Sequence, residues 1–396
     1  MKLSPTLAGL RTYPFVRLTE AKKRLTAAGV DFVDFGMGEP REETPRFIRE
    51  ALAAAIEPLS SYPSADGLPE LRAAIAAWAG RRFGVALDPD REIVPTLGSK
   101  EAIFHLAQVA GGELIATPTP AYPVYERGAA FAGRELLELP LTAANGFLPD
   151  LDAVDAATWS RVGVLWLNYP NNPTAATAPV EFYERAAALA REHDFVLASD
   201  EAYSELYFGS EPPASALQVA DRTNVLVFNT LSKRSSMPGY RTGFAAGDPE
   251  VVGALRRYRP NVGVAPLEMV QRAAVAAWGD EAHVEEVRGR YRAKRDVLLP
   301  VLERGGLRSA GGDATFFLWL DGGPDAEALA QRLIEGGVVV TPGSYFGAAG
   351  EGFMRMALVP PLADCERAVS LLEALLGEAG PGGRFPSGYS PGGRNP

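Results

Sequence analysis

A lysine among hydroxyl-bearing residues, followed eight positions later by an arginine, gives this chain its clearest chemistry: Thr230-Leu-Ser-Lys233-Arg-Ser-Ser-Met-Pro-Gly-Tyr-Arg241. A lysine amine forms a Schiff base with an aldehyde, and an arginine fork grips a phosphate, so the pair suits a ligand bearing both groups. Two upstream segments add complementary groups. Ser199-Asp200-Glu201-Ala202-Tyr203 closes the apolar run Phe195-Val-Leu-Ala198, which reads as a buried parallel strand. A carboxylate at the carboxyl end of such a strand stands where open α/β sheets bind ligands. There Asp200 can keep a ring nitrogen protonated and Tyr203 can reach a phenolic oxygen. Read alone, Asp200 is equally a solvated strand end or a helix cap. Asn168-Tyr-Pro-Asn-Asn172-Pro173 follows the run Val162-Gly-Val-Leu-Trp-Leu167. It is either a plain Pro/Asn turn or the place where the Asn172 amide meets the same phenolic oxygen.

With Asn172, Asp200, Tyr203, Lys233 and Arg241 in that order, the chain resembles the fold-type I pyridoxal-phosphate (PLP) aminotransferases of class I/II, over about residues 4–377. Tyr13-Pro-Phe-Val-Arg-Leu, Gly38-Glu-Pro, Ser61-Tyr62-Pro, Leu231-Ser-Lys-Arg-Ser and Ala277-Trp-Gly-Asp-Glu-Ala-His283 are similar to one branch, the succinyldiaminopimelate aminotransferases of lysine biosynthesis. Two departures stand out. Ala175 occupies a position where the family usually has glycine, which implies altered turn geometry rather than lost activity. Pro260-Asn-Val-Gly-Val-Ala-Pro266 does not follow the branch pattern.

The resemblance implies roles residue by residue. Lys233 carries PLP and moves the proton, Asp200 faces the pyridine nitrogen, and Tyr203 and Asn172 hold the phenolic oxygen. Ser99, the Lys100 backbone amide, Thr230, Ser232 and Arg241 hold the phosphate. Gly98-Ser99-Lys100 also reads on its own as a helix start, where free N–H groups favour an anion, although a simple serine cap fits equally. Tyr122, in Pro120-Ala-Tyr-Pro, stacks on the cofactor ring or else packs in the core. Arg355 interrupts the apolar run Phe-Met-Arg-Met-Ala-Leu; a buried arginine needs an anionic partner, either an internal carboxylate or, as the resemblance implies, the substrate's. Gly38 completes that carboxylate seat through its backbone, and Tyr13 and Phe15 line the entrance. Tyr62 reaches the phosphate of a neighbouring subunit, which implies a homodimer. Arg234 meets a second substrate carboxylate or is a surface charge.

These residues need a scaffold that brings strand ends together. Apolar strands near Leu114–Thr117, Val162–Asn168, Phe195–Asp200 and Val225–Thr230 alternate with helices near 121–132 and 180–193. Helices are also expected from a Thr44 cap with Pro45 at the first helical position, from Pro69 to about Phe83, and from Gly98 to about Val109. The expected fold is α/β: a PLP-dependent transferase fold with a mostly parallel seven-stranded sheet between helices, at about 41–280. Residues 1–40 and 281–377 form a smaller α+β domain, built on a helix from about Glu281 to Arg304, strands near Thr315–Leu320, Val338–Thr341 and Phe353–Leu358, and a last helix to Leu376. Residues 378–396, rich in glycine and proline, read as a disordered tail.

Composition narrows the function classes. A chain of 396 residues can bury a large core. The formal net charge of −10 argues against partners that are nucleic acids or anionic membranes. The one cysteine, Cys365, forbids an intrachain disulfide and reads as a packing residue. His105, His193 and His283 lack metal-ligand spacing and read as structural, the last two on helix surfaces. No secretory signal or membrane-length apolar run is present, so a cytoplasmic enzyme is expected. The alternatives on the same scaffold are an aspartate- or aromatic-type aminotransferase and a carbon–sulfur lyase. A non-catalytic regulator domain would want a basic DNA-binding segment.

Overall fold

The long apolar runs become the centre of a seven-stranded sheet. In the computed structural model, which describes residues 1–10, 15–59 and 61–377, the strands lie in the order Ile93–Thr96, Gly243–Gly247, Val225–Thr230, Val196–Asp200, Val162–Asn168, Leu114–Thr119, Glu135–Pro140. Four of the six pairings are parallel; Gly243–Gly247 runs antiparallel to both neighbours. The expected α/β architecture is therefore present. Side chains alternate between the two faces. Leu165 and Leu167 join Trp78, Tyr183 and Trp278 in one apolar layer, while Val164 and Trp166 join Leu106, Tyr125 and Leu255 in the other. Each fully buried aliphatic side chain of this kind contributes roughly 1.5–3 kcal/mol.

Helix ends follow local chemistry. Pro69–Phe83 opens on proline and stops at Gly84, φ +71°, and Ser99–Val109 starts after Gly98, φ +66°. The Thr44 cap is a correction. Pro45 is the N-cap of Arg46–Ala54, and the Thr44 hydroxyl donates instead to the carbonyl of Ser236 at 2.6 Å, tying the N-terminal loop to the turn after Lys233.

A second sheet is antiparallel, in the order Thr341–Pro342, Phe353–Ala357, Phe317–Asp321, Arg308–Ser309. Its apolar residues pack with helices Ala282–Arg304 and Leu362–Leu376, the second of which buries Cys365. Val33–Asp34 pairs in parallel with Val338–Val339, so a segment near the N terminus shares a sheet with one near the C terminus. Tyr13 and residues 378–396 lie outside the described residues. Among the described residues no helix is long and apolar enough to cross a membrane.

Candidate active site

The carboxyl ends of the parallel strands open onto one cavity, and most of the expected site residues line it: Ser99, Lys100, Tyr122, Asn172, Asp200, Tyr203, Thr230, Ser232, Lys233, Arg241, Gly38 and Arg355. Phe15 lines it too. Tyr62 does not; on the single chain it is fully exposed.

Strand register sets the floor. Asn168 sits opposite Asp200, and its side-chain amide donates to the Asp200 backbone oxygen at 2.7 Å. The Asp200 carboxylate accepts from the Tyr125 hydroxyl at 2.9 Å and from the Ala202 N–H at 3.3 Å. Burial nevertheless pushes it up to about 6, against the nearby charge of Lys233, and no ion pair to it is formed among the described residues. Tyr125 is a site residue that the sequence reading missed. Its ring stacks on Trp166 with centroids 4.8 Å apart, and its place one turn after Tyr122 was the available signal.

Lys233 lies on the four-residue helix Leu231–Arg234. Its Nζ donates to the Gly38 carbonyl at 2.8 Å and stands 5.7 and 5.3 Å from the rings of Tyr203 and Phe316. Burial, then the nearby Arg355 charge, holds the amine down at about 8, against pulls from Glu39 and Asp200. An amine brought near neutrality is a usable nucleophile and base. Glu39, at the cavity wall, was not anticipated either.

At the other end of the cavity, Gly98 and Arg241 are in close contact. A Cβ on Gly98 would fall 2.6 Å from an Arg241 nitrogen, so only glycine lets the guanidinium lie against the start of helix Ser99–Val109. Thr230 already spends its hydroxyl on the Thr242 carbonyl at 2.9 Å, and accepts from the Ser232 N–H at 3.2 Å and from the Ser232 hydroxyl at 2.9 Å, leaving Ser99 and backbone N–H groups as the readier donors to an anion.

Arg355 is buried in an inner strand of the antiparallel sheet, opposite Trp319 and Thr341. It donates to the Asn172 side-chain oxygen at 2.9 Å and the Gly36 carbonyl at 2.8 Å, under the rings of Phe317 and Phe346 at 4.3 and 4.6 Å. A guanidinium only donates, so the Asn172 oxygen faces Arg355 and its NH2 is left for another acceptor. Gly38 has no room for a side chain: a Cβ there would meet the Phe317 ring at 2.8 Å.

Ala175 adopts φ 61°, the left-handed region that costs an L-residue roughly 1–2 kcal/mol and that glycine enters freely. The replacement is therefore held as backbone strain in the turn. Arg234 is neither a substrate ligand nor a surface charge. It is 1% exposed and paired with Glu281 at 3.0 Å. His283, expected on a helix surface, is buried.

A lysine near neutrality, a buried carboxylate without a cation, an anion cradle and a buried arginine in one cavity make a donor set that fits PLP. The family model for aminotransferase class I and II matches residues 30–372. The chain belongs to the class I and II aminotransferases. It is a PLP-dependent transaminase. This aminotransferase is 41% identical over 385 residues to the LL-diaminopimelate aminotransferase of Nitratidesulfovibrio vulgaris strain Miyazaki F, covering 94% of this chain and 99% of that one. Among solved structures it is similar to an aspartate aminotransferase single mutant from Thermus thermophilus, with TM-score 0.87, 32% identity and coverage of 95% of this chain and 100% of that one. It is also similar to a probable N-succinyldiaminopimelate aminotransferase from Thermus thermophilus, with TM-score 0.83, 33% identity and coverage of 91% and 99%. The succinyl branch expected from the sequence is matched only in part: the Nitratidesulfovibrio relative is named for unsuccinylated LL-diaminopimelate, and the second Thermus structure for the N-succinyl form.

Proposed function

We propose that this aminotransferase moves an amino group between a diaminopimelate-type dicarboxylic amino acid and 2-oxoglutarate, as a step of lysine biosynthesis. The observation that carries the reading is the 41% identity, over nearly the full length of both chains, to an enzyme named for LL-diaminopimelate. Glu39 supports it. It is exposed at the cavity wall and has no ion pair among the described residues, so it offers a counter-charge to a second ammonium on the substrate. The N-succinyl derivative is the second reading, favoured by the Thermus neighbour named for it.

In this reading Lys233, Asp200 and Tyr203 are the catalytic residues. Lys233 would hold the PLP aldehyde, and its amine, set free when the substrate amine takes its place, would move the proton at the substrate α-carbon. PLP supplies the electron sink for the charge left there. Asp200 pairs with the ring nitrogen, and Tyr203 and the Asn172 amide hold the phenolic oxygen. Tyr122 packs on the ring. Ser99, the Lys100 amide and Arg241 hold the phosphate, joined by Thr230 and Ser232 once their hydroxyls turn from each other and from the Thr242 carbonyl. Arg355 takes the substrate α-carboxylate beside Asn172 and the Gly38 backbone, with Phe15 lining the same cavity. The active form is a cytoplasmic homodimer, Tyr62 of each subunit serving the other's phosphate site. Residues 41–280 form the cofactor-binding domain, and 1–40 with 281–377 form the smaller one.

Steady-state kinetics with 2-oxoglutarate as acceptor test the substrate. LL-diaminopimelate should exceed N-succinyl-LL-diaminopimelate, aspartate and phenylalanine in kcat/KM by at least about tenfold, the scale that one buried polar contact can supply. Comparable values for phenylalanine would remove the narrow reading and leave a general aminotransferase.

A further inference from the structure

Two stretches singled out in the sequence, Leu231–Ser235 and Ala277–His283, meet in the fold. Lys233 rides on a single helical turn, Leu231–Arg234. One turn does not hold its own geometry, so the direction of the Lys233 side chain must be set by what grips the turn. On its N-terminal side, Thr230 anchors it to Thr242. On its C-terminal side the grip comes from residues 278–283 and Trp78. The Arg234 guanidinium lies 4.6 Å from the Trp278 ring and 5.4 Å from Trp78, and donates to the Asp280 carbonyl at 3.3 Å and the Glu281 carboxylate at 3.0 Å.

The next residue, Ser235, is completely buried, with its Oγ 2.9 Å from His283 Nε2. His283 Nδ1 is in turn 2.7 Å from Asp280 Oδ1, and Asp280 is itself fixed by accepting the His283 backbone N–H at 3.0 Å. A carboxylate only accepts, so Nδ1 carries the proton. Burial lowers the His283 pKa, which favours the neutral ring. Nε2 is then an acceptor and the Ser235 hydroxyl donates to it. Neither Asp280, His283, Ser235 nor Arg234 lines the active cavity.

We propose that the Asp280–His283–Ser235 chain, beside the Arg234 clamp, is a positioning device that aims Lys233 at the reacting carbon. The inference rests on the proposed role of Lys233 as proton carrier. It predicts that loosening the chain damages proton transfer and leaves substrate binding alone.

The test uses cofactor-loaded enzyme carrying Ser235→Ala, His283→Leu or His283→Gln. Ser235→Ala and His283→Leu should lower kcat by about 10–100-fold, the scale of an ångström-level misplacement, with KM for the amino donor within about twofold. The deuterium isotope effect with α-deuterated donor should increase, and the visible circular dichroism of the bound cofactor should weaken. His283→Gln, whose side-chain oxygen can accept from Ser235, should regain most of both. Ser235→Ala removes one oxygen and serves as the decisive variant if His283→Leu does not fold. A wild-type isotope effect and dichroism in folded Ser235→Ala would overturn the proposal, as would equal behaviour of His283→Gln and His283→Leu. Turnover by Lys233→Ala would instead overturn the reading beneath it.

Discussion

The phenolic hydroxyl of Tyr125 donates to the carboxylate of Asp200 at 2.9 Å, and both groups are buried. This bond lowers the Asp200 pKa against the upward push of burial. Tyr125→Phe keeps the stacked ring and removes the bond. Asp200 should then ionise less readily and grip a protonated ring nitrogen less well. Cofactor Kd, measured by equilibrium dialysis, should rise about tenfold or more, the worth of one hydrogen bond to a charged group. An unchanged Kd would exclude Tyr125 from the site.

The same carboxylate sets a pH dependence. Asp200 in the cofactor-free fold titrates at about 6, above its ordinary 3.8. The folded state therefore holds the extra proton between roughly pH 4 and 6, so stability falls as pH rises through that window and the penalty is full above it. Glu201, raised by burial to about 7, acts with the same sign. A cationic ring nitrogen relieves the Asp200 share. The gain in Tm on adding PLP should be larger at pH 7.5 than at pH 5, and Asp200→Asn should flatten the difference. Equal gains at both pH values in the wild type would contradict the pairing.

Lys233 gives the opposite slope at high pH. Its folded value of about 8 lies below the ordinary 10.5. The unfolded chain holds the extra proton between those values, so stability of the cofactor-free protein should rise with pH from about 8 to 10.5. Lys233→Met should lose that rise, together with the visible absorbance of the loaded enzyme and nearly all turnover.

Arg355→Ala should raise KM for every carboxylate donor by roughly 100-fold, since a buried charged contact is worth a few kcal/mol, while bound cofactor absorbance stays. Arg355→Lys should recover little, because an ammonium cannot reproduce a planar fork. Unchanged KM in Arg355→Ala would make this arginine structural.

Tyr62 is fully exposed on the single chain, so its proposed role calls for a second copy. Mixed dimers of Lys233→Ala and Tyr62→Ala protomers place both defects in one site and neither in the other. Refolding the two variants together should give more turnover than either alone, toward about half of wild type per dimer. No complementation would place Tyr62 outside the neighbour's site.

Four parallel interior strands were legible in the sequence because they are unbroken apolar runs such as Val162–Asn168 and Val225–Thr230. Three further strands carried weaker signals. Ile93–Thr96 contains a proline, tolerated because the strand lies at a sheet edge. Glu135–Pro140 is the opposite, half-exposed edge and carries two charges. Gly243–Gly247 is glycine and alanine around one phenylalanine. At the site, residues whose chemistry is local in sequence, Lys233, Asp200 and Asn172, were readable, and they do converge. Residues defined by a partner far along the chain were not. Tyr125 takes its meaning from Asp200, and Arg234 and His283 take theirs from one another's segments.

Gly38 and Phe317 compete for one space. With the Phe317 ring 2.8 Å from where a Cβ would stand, a side chain at position 38 requires the ring at position 317 to move aside or shrink. The two positions are therefore coupled, and a change at one is felt at the other.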